Sequence, residues 1–598
     1  MLRIVRGGSS RSELPVPRKE LPIVPSAESP PEIIPSDDTI AYFSMEIALE
    51  AQIPTYSGGL GMLAGDALRT ASDQHVPMVG VSLLYRRGYF RQRLAGDGTQ
   101  IEEDVSWNPT AHLQKLPVRV QVQLQGRPVY LRAWRYGLTG VDGYSVPVLL
   151  LDTDLEENSD SDRHLTDHLY GGDARTRLCQ EAVLGIGGVR LLRALGYTRI
   201  RRFHMNEGHA SLLTLELAHE VAQQDGAPTR PAEVLAMIKP RCVFTTHTPV
   251  AAGHDQFPLT LVNEVLGDYG PKLQEYIQAC CLDGTLNMTY LALANSHFIN
   301  GVAKRHGEVA RHMFAQYRID SITNGVHAAT WVAPALGEML DRNVPGWRLD
   351  NASLRAAMSM NSHELWSAHQ SAKQALLHGI AERNGVLLGP DTFTIGFARR
   401  ATTYKRAQLL FWNLERLIAM QRPGRTFQVI YGGKAHPQDL GGKDLIRQIH
   451  RYRDQLQGKV TVVYMEEYDM DLARLMTAGV DLWLNTPLAP MEASGTSGMK
   501  AAMNGVPSLS ILDGWWVEGC IEGVTGWSFG GSKATAESDD DFAADGDSLY
   551  RKLESIILPM FYGDHEGYVA VMRQALAING SFFNTERMLD QYLLKAYF

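Results

Sequence analysis

Thr392-Phe-Thr-Ile-Gly-Phe-Ala-Arg-Arg-Ala-Thr-Thr-Tyr-Lys-Arg406 decides how the second half of this chain folds. Residues 392–397 form a short apolar run, and four cations follow within eight residues: Arg399, Arg400, Lys405 and Arg406. An apolar run of this length reads as a buried strand. Similar runs stand at 427–431, 460–464, 481–484 and 508–512, with helical periodicity near 406–420, 443–455, 471–478 and 499–504. Strand and helix alternating at this spacing predict a parallel sheet with helices on both faces. Such a sheet places its ligands beyond the carboxyl ends of its strands, which is where the cations fall. Set together, they repel one another unless water or anions offset them. Two phosphates meet that need through charge-assisted, bidentate contacts; a solvated basic turn is the plainer reading.

A second loop, Met491-Glu-Ala-Ser-Gly-Thr-Ser-Gly-Met-Lys500, runs through small residues into a helix. The first N–H groups of a helix have no internal partners, so its start suits a phosphate or a sugar hydroxyl. Lys500 falls roughly one turn inside, among apolar neighbours. Burial lowers the pKa of an amine and readies it for a Schiff base with an aldehyde cofactor. A plain strand–helix connection with a solvated lysine is the alternative. The turn Tyr431-Gly-Gly-Lys-Ala-His-Pro437 also stands at a strand end and says little by itself.

The first half is mixed α/β with antiparallel decoration. A strand at 39–46 leads into the Gly-rich loop Tyr56-Ser-Gly-Gly-Leu-Gly61, a helix to residue 73 and a strand at 77–85. Residues 117–137 alternate apolar and polar around Gln-Gly-Arg, a hairpin pattern. Further apolar runs stand at 145–151, 242–246 and 298–302. The expected division is a flexible tail over 1–38, rich in Pro, Ser and charge, and an α/β domain over 39–388. A second, Rossmann-like domain follows over 389–572, and a final helical segment over 573–598 crosses back to the first. The domain change falls in the helical stretch 362–388.

His204 and His209, in Phe-His-Met-Asn-Glu-Gly-His, and His247, in Thr-Thr-His-Thr-Pro, are expected after strands. No HExxH or His-x-His pattern accompanies them, and Asn206 and Glu207 serve sugar hydroxyls equally well, so no metal is expected. No G-x-S-x-G elbow is present, and Ser494 has no evident base.

Bulk properties narrow the class. At 598 residues the chain suggests several domains. The net charge of −9, with no aromatic interleaving in the basic stretch, argues against a nucleic-acid partner. Cys179, Cys242, Cys280, Cys281 and Cys520 form no CxxC pair, which suits a reducing compartment. No apolar run approaches the roughly 20 residues of a membrane span, and the basic N-terminus lacks a signal core. A cytoplasmic protein is expected.

Read in order, Tyr-Phe-Ser-Met-Glu46, Gly-Gly-Leu-Gly61, Tyr-Arg-Arg-Gly-Tyr-Phe-Arg-Gln92, His-Met-Asn-Glu-Gly-His209, Thr-His-Thr-Pro249, Thr-Asn-Gly-Val326, Tyr-Lys-Arg406, Gly-Gly-Lys-Ala435 and Glu-Ala-Ser-Gly-Thr-x-x-Met-Lys500 resemble the α-glucan (glycogen, starch and maltodextrin) phosphorylases. The similarity is to their short bacterial branch and spans about 41–530. It implies two Rossmann-like domains in a B-type glycosyltransferase architecture, with the active site in the interdomain cleft. It implies pyridoxal 5′-phosphate on Lys500, with Arg399, Thr496 and Ser497 at the cofactor phosphate and Tyr468 in its pocket. Arg400 and Lys405 match groups that bind substrate phosphate, closed by Gly58, Gly59 and Leu60. Glu492, Ser494 and Gly495 match contacts to glucose, with Glu207 and His209 as further substrate contacts. His247 matches the residue beside the glucose C6 hydroxyl and the developing cationic sugar.

The implied reaction is reversible phosphorolysis of an α-1,4-glucan (glycogen, starch or maltodextrin) by inorganic phosphate to α-D-glucose 1-phosphate, with retention. The cofactor phosphate exchanges the proton. A homodimer is a family expectation. Three departures from the longer family members stand out: Arg399 replaces a lysine, Ala333 an asparagine, and the loop reads Thr-Ser-Gly-Met. The N-terminal tail does not match a phosphorylation-regulated segment. Two rival readings share the fold: a nucleotide-sugar-dependent glucan synthase, which has no use for Lys500, and a non-catalytic glucan-binding protein.

Overall fold

In the computed structural model the described residues are 38–224, 230–249, 253–267, 277, 281–531 and 538–598, and all fall in one compact unit. The tail expected over 1–38 lies outside them save for its last residue. Among the described residues two large sheets dominate. The first runs in the order Asp320–Ser321, Phe298–Gly301, Cys242–Thr245, Ile200–Asn206, Thr39–Ser44, Met78–Leu83, Ser145–Asp152, Arg127–Thr139, Gln114–Leu124. It is parallel as far as Ser145–Asp152, and the hairpin then adds two antiparallel strands. The second sheet is parallel throughout: Thr461–Met465, Phe427–Gly432, Phe393–Ala398, Leu482–Asn485, Ser508–Ile511, Gly526–Phe529.

Burial follows from this arrangement. Thr39–Ser44, Met78–Leu83, Phe393–Ala398 and Phe427–Gly432 are buried at every residue, because helices cover both faces of a parallel sheet. The edge strand Gln114–Leu124 instead alternates, with much of one face exposed. The α/β class with two parallel-dominant sheets is as expected.

Four local expectations need correction. The helix expected over 406–420 is broken into turns at Thr403–Lys405 and Ala407–Phe411 and a short helix at Leu414–Ala419. The break falls at Arg406, whose φ is 47° and whose buried guanidinium donates to the carbonyls of Thr486 (3.0 Å) and Pro487 (3.1 Å) and pairs with Asp545 (2.9 Å). That arginine therefore serves the scaffold and leaves the expected phosphate cluster. The helix carrying Lys500 starts earlier than periodicity suggested, at Thr496. His204 lies inside the strand Ile200–Asn206, not after it. The sixth strand of the second sheet, Gly526-Trp-Ser-Phe529, is too short and glycine-led to show in the pattern.

Two contacts tie distant segments together. The helix Thr585–Tyr592 and the turns after it pack on the first sheet, where Met588, Leu589, Tyr592 and Tyr597 join Leu63 and Leu68 of the helix Gly59–Asp73 in one core. Buried His204 bonds there to the hydroxyls of Tyr597 (2.5 Å) and Thr245 (2.9 Å). The ribbon Arg91–Leu94 with Gln100–Glu103 docks on the turn after Phe427–Gly432: Gln92 donates to Gly433 O and Gln100 to Ala435 O, both at 2.9 Å. The unremarkable turn around Lys434 is thus the seat of a strap from the first half.

The helix Gly59–Asp73 crosses the chain at Ala48 so closely that a Cβ at Gly65 would stand 2.1 Å from the Ala48 carbonyl oxygen. Alanine in a helix interior normally stabilises by about 1 kcal/mol over glycine. Here backbone must move, and Gly65→Ala is expected to lower stability by about 1–3 kcal/mol. Denaturant unfolding checks this; a variant as stable as the wild type contradicts the crossing.

Candidate active site

The C-terminal ends of the second sheet's strands, the loop 491–497 and the Gly-rich loop of the first half enclose a cavity of about 350 Å³. Gly58, Gly59, Leu60, His247, Arg399, Arg400, Lys405, Tyr468, Glu492, Ser494, Gly495, Thr496, Ser497 and Lys500 all line it. Residues separated by more than 400 positions in sequence thus face one space. Of the candidates, Glu207 and His209 are absent from its walls.

Charge is concentrated on one side. Lys405 Nζ lies 2.7 Å from Glu492 Oε2, and Arg399 Nη2 bonds to the same oxygen. All three side chains are buried. Burial alone raises a carboxylate's pKa, but the two cations outweigh it and hold Glu492 down at about 2. One carboxylate does not exhaust these cations: Arg399 Nη1 is buried without a hydrogen-bond partner, and so is Ser494 Oγ. Orphaned donors of this kind are what an anionic, hydroxyl-bearing ligand satisfies. Arg400 reaches across to the Gly-rich loop, where a Cβ on Gly58 would sit 3.3 Å from its Cδ.

Lys500 is the fifth residue of the helix Thr496–Met503 and is 6 % exposed. Its Nζ lies 3.6 Å from the centre of the Trp331 ring. Burial lowers its pKa to about 8; Asp66 opposes the shift, and Arg474 and Arg69 reinforce it. A neutral amine is therefore accessible near neutral pH, as a nucleophilic lysine requires. Trp331 is itself fixed by its indole N–H on Asp66 Oδ2 at 2.7 Å.

His247 also lines the cavity. Burial holds its imidazole at a pKa of about 3, so it is neutral. Glu207, with a φ of 76°, stands behind it and accepts from the His247 backbone N–H (2.7 Å) and the Thr248 hydroxyl (3.0 Å). His209 turns away to Asp255, 3.3 Å from its Nε2. Glu207 thus braces two lining residues, His247 and Thr248. Sequence reasoning also missed Glu46, whose Oε2 accepts from the N–H groups of Ser57 (2.6 Å) and Gly58 (3.0 Å) and whose Oε1 accepts from Tyr170 Oη (2.9 Å). The Gly58 N–H is thereby spent within the protein, and the donors left to the cavity are those of the first helical turn from Gly59 onward. The signal for Glu46 was its acidic side chain at the end of an otherwise apolar strand.

Comparison with known proteins identifies the family. The carbohydrate phosphorylase family profile matches residues 274–530, which hold the cationic loop and Lys500. The maltodextrin phosphorylase of Thermococcus litoralis is 37% identical over 94% of this chain and 70% of its own length. The glycogen phosphorylase of Mycobacterium tuberculosis is 37% identical over 93% and 70%, and that of Aquifex aeolicus 34% identical over 93% and 86%. Fold and similarity define a carbohydrate-handling α/β enzyme. The chain belongs to the carbohydrate phosphorylase family.

Glu492 offers a direct test of the anion site. Its pKa lies below the ordinary carboxylate value, so its contribution is complete above about pH 4.5 and is lost as pH falls through about 2. Breaking such a buried pair costs about 3–5 kcal/mol. Glu492→Gln is expected to lower stability on that scale in phosphate-free buffer. Millimolar inorganic phosphate should restore part of the loss by binding the freed cations. Thermal unfolding with and without phosphate reads both effects, and equal protection of variant and wild type counts against the assignment.

Proposed function

We propose that this family member is an α-glucan phosphorylase that moves a glucosyl unit between the non-reducing end of an α-1,4-glucan and inorganic phosphate, giving α-D-glucose 1-phosphate with retention. The observation that carries this reading is the single cavity lined by a buried, low-pKa lysine, a set of cations and a neutral histidine. The proposed architecture is a B-type glycosyltransferase pair, 39–388 and 389–572, with 573–598 returning to the first. The relatives' printed names support glycogen or maltodextrin as the glucan.

The residues fit pyridoxal 5′-phosphate. Lys500 supplies the amine for its aldehyde, the helix start at Thr496 and Ser497 supplies N–H groups, and the orphaned Arg399 Nη1 supplies a charged donor for its phosphate. Tyr468 walls the same end. When bound, the cofactor contributes a second phosphate whose pKa near 6 lets it exchange a proton at neutral pH.

The chain's own groups do the rest. Arg400, Lys405 and the N–H groups at the start of Gly59–Asp73 bind inorganic phosphate. Glu492, Ser494 and Gly495 bind sugar hydroxyls, and His247 stands beside the ring. Phosphorolysis breaks the bond from C1 to the glycosidic oxygen, forms a bond from C1 to a phosphate oxygen, and leaves a 4-oxygen that needs a proton. Glu492, ionised between Arg399 and Lys405, is no acid at neutral pH. The proton therefore comes by way of substrate phosphate, and the cations hold the anions close while charge develops on the sugar.

The same reading carries a cytoplasmic location and a homodimer as family expectations. Among the described residues no helix is long and apolar enough to cross a membrane.

The experiment is a visible spectrum before and after borohydride, with peptide mapping, followed by assay of glucose 1-phosphate from maltodextrin and phosphate. The expected result is one reduced pyridoxyl adduct, on Lys500, absent from Lys500→Met, together with product release. A wild-type protein that takes up no pyridoxal 5′-phosphate and releases no glucose 1-phosphate overturns the reading.

A further inference from the structure

The segment Ser44-Met-Glu46 follows from the end of the central strand of the first sheet and holds the Gly-rich loop through Glu46. Its backbone and Ser44 also reach His247 through a short chain of hydrogen bonds. His247 Nε2 is 2.7 Å from Asn206 Oδ1. Asn206 Nδ2 donates to Ser44 Oγ at 3.1 Å, and Ser44 Oγ donates to the carbonyl of Glu46 at 2.7 Å. Asn206 and Ser44 are almost completely buried, so solvent does not compete for these bonds.

The direction of this chain is fixed at its end. A backbone carbonyl only accepts, so the Ser44 hydroxyl must spend its one proton on Glu46 O. Ser44 Oγ is then an acceptor, and it must face the NH₂ of Asn206. That turns the amide oxygen towards His247, and an amide oxygen only accepts. In the neutral imidazole the proton therefore sits on Nε2, and Nδ1 keeps its lone pair. Among the described residues nothing bonds to Nδ1, and His247 lines the cavity.

We propose that Ser44 and Asn206 are positioning residues that fix His247 as its Nε2–H tautomer, so that Nδ1 meets the substrate as an acceptor and selects a hydroxyl over a carbonyl or phosphate oxygen. The substrate part of this inference rests on the phosphorylase reading; the tautomer does not. An acceptor at this position discriminates against sugars lacking the matching hydroxyl, since Nδ1 is then left unpaired. It also presents no proton to an anion that strays from the cationic side.

The test uses the full-length protein with its cofactor, labelled with ¹⁵N-histidine. Long-range ¹H–¹⁵N spectra separate protonated from unprotonated ring nitrogens, and His247→Gln identifies the signals. The expected pattern is a protonated Nε2 and an unprotonated Nδ1 at neutral pH. A proton on Nδ1, alone or with one on Nε2, overturns the proposal. Ser44→Ala frees the amide to turn over; it should bring a second tautomer into the spectrum and lower kcat/KM for glucose 1-phosphate about tenfold, the worth of one hydrogen bond, with cofactor content unchanged. Asn206→Asp, whose carboxylate also only accepts, should keep the tautomer and retain more activity than Asn206→Ala. A Ser44→Ala protein with an unchanged spectrum and unchanged kcat/KM also counts against the relay. A wild type that shows the expected tautomer but no phosphorolysis defeats the functional reading and leaves the relay standing.

Discussion

Positive charge buried with too little negative charge to match it is the constraint on which this structure turns. Arg399 and Lys405 share one carboxylate, Glu492, and Lys500 lies against an aromatic ring in place of an anion. Inside a folded protein such an imbalance is unfavourable unless something external completes it. The second sheet tolerates it because the charges stand at strand ends and at the start of a helix, where dipoles and open space favour an anion. The proposed phosphorolysis, with a cofactor phosphate beside substrate phosphate, would use that imbalance. Arg406 shows the opposite case. It belongs to the same run of cations, yet Asp545 and two carbonyls satisfy it and it contributes only to the scaffold.

The other wall depends on acceptors. Glu46 holds the Gly-rich loop by two backbone N–H groups, and Glu207 holds the backbone of His247 and the hydroxyl of Thr248. Both carboxylates are buried, and each accepts hydrogen bonds on both of its oxygens. They convert loops into fixed walls, which is what positioning a substrate to within a fraction of an ångström requires. The strap of Gln92 and Gln100 on the turn at Gly433–Ala435 does comparable work between the two sheets. It joins the carboxyl-end loops of one to a ribbon grown from the other.

Much of this is legible in the sequence. The strand–helix alternation of 392–512 follows from hydrophobic periodicity, because each strand buried on both faces must read as an unbroken apolar run. The loop from Glu492 to Lys500 and the cations at Arg399, Arg400 and Lys405 follow from residue chemistry at strand ends. Boundaries were less legible. Nothing local marks Arg406 as a break, since its partners lie at Thr486, Pro487 and Asp545, and the helix start at Thr496 is set by a loop of small residues with weak preferences. Nor does anything local show that Glu207 bonds to the backbone of His247 or that His209 lies against Asp255, since those partners come from other segments.

By itself, then, the sequence determined the α/β class and the kinds of group that line the cavity, because periodicity and local residue chemistry are properties of contiguous segments, and its ordered motifs pointed to the family. Tertiary structure alone decided which of those groups meet. That Glu492 rather than solvent pairs Arg399 and Lys405, that Trp331 lies under Lys500, and that Ser44 and Asn206 orient His247 are matters of distances between segments far apart in the chain. Hydrogen bonds and ion pairs act over about 3–4 Å, and only the folded backbone brings such segments within that reach.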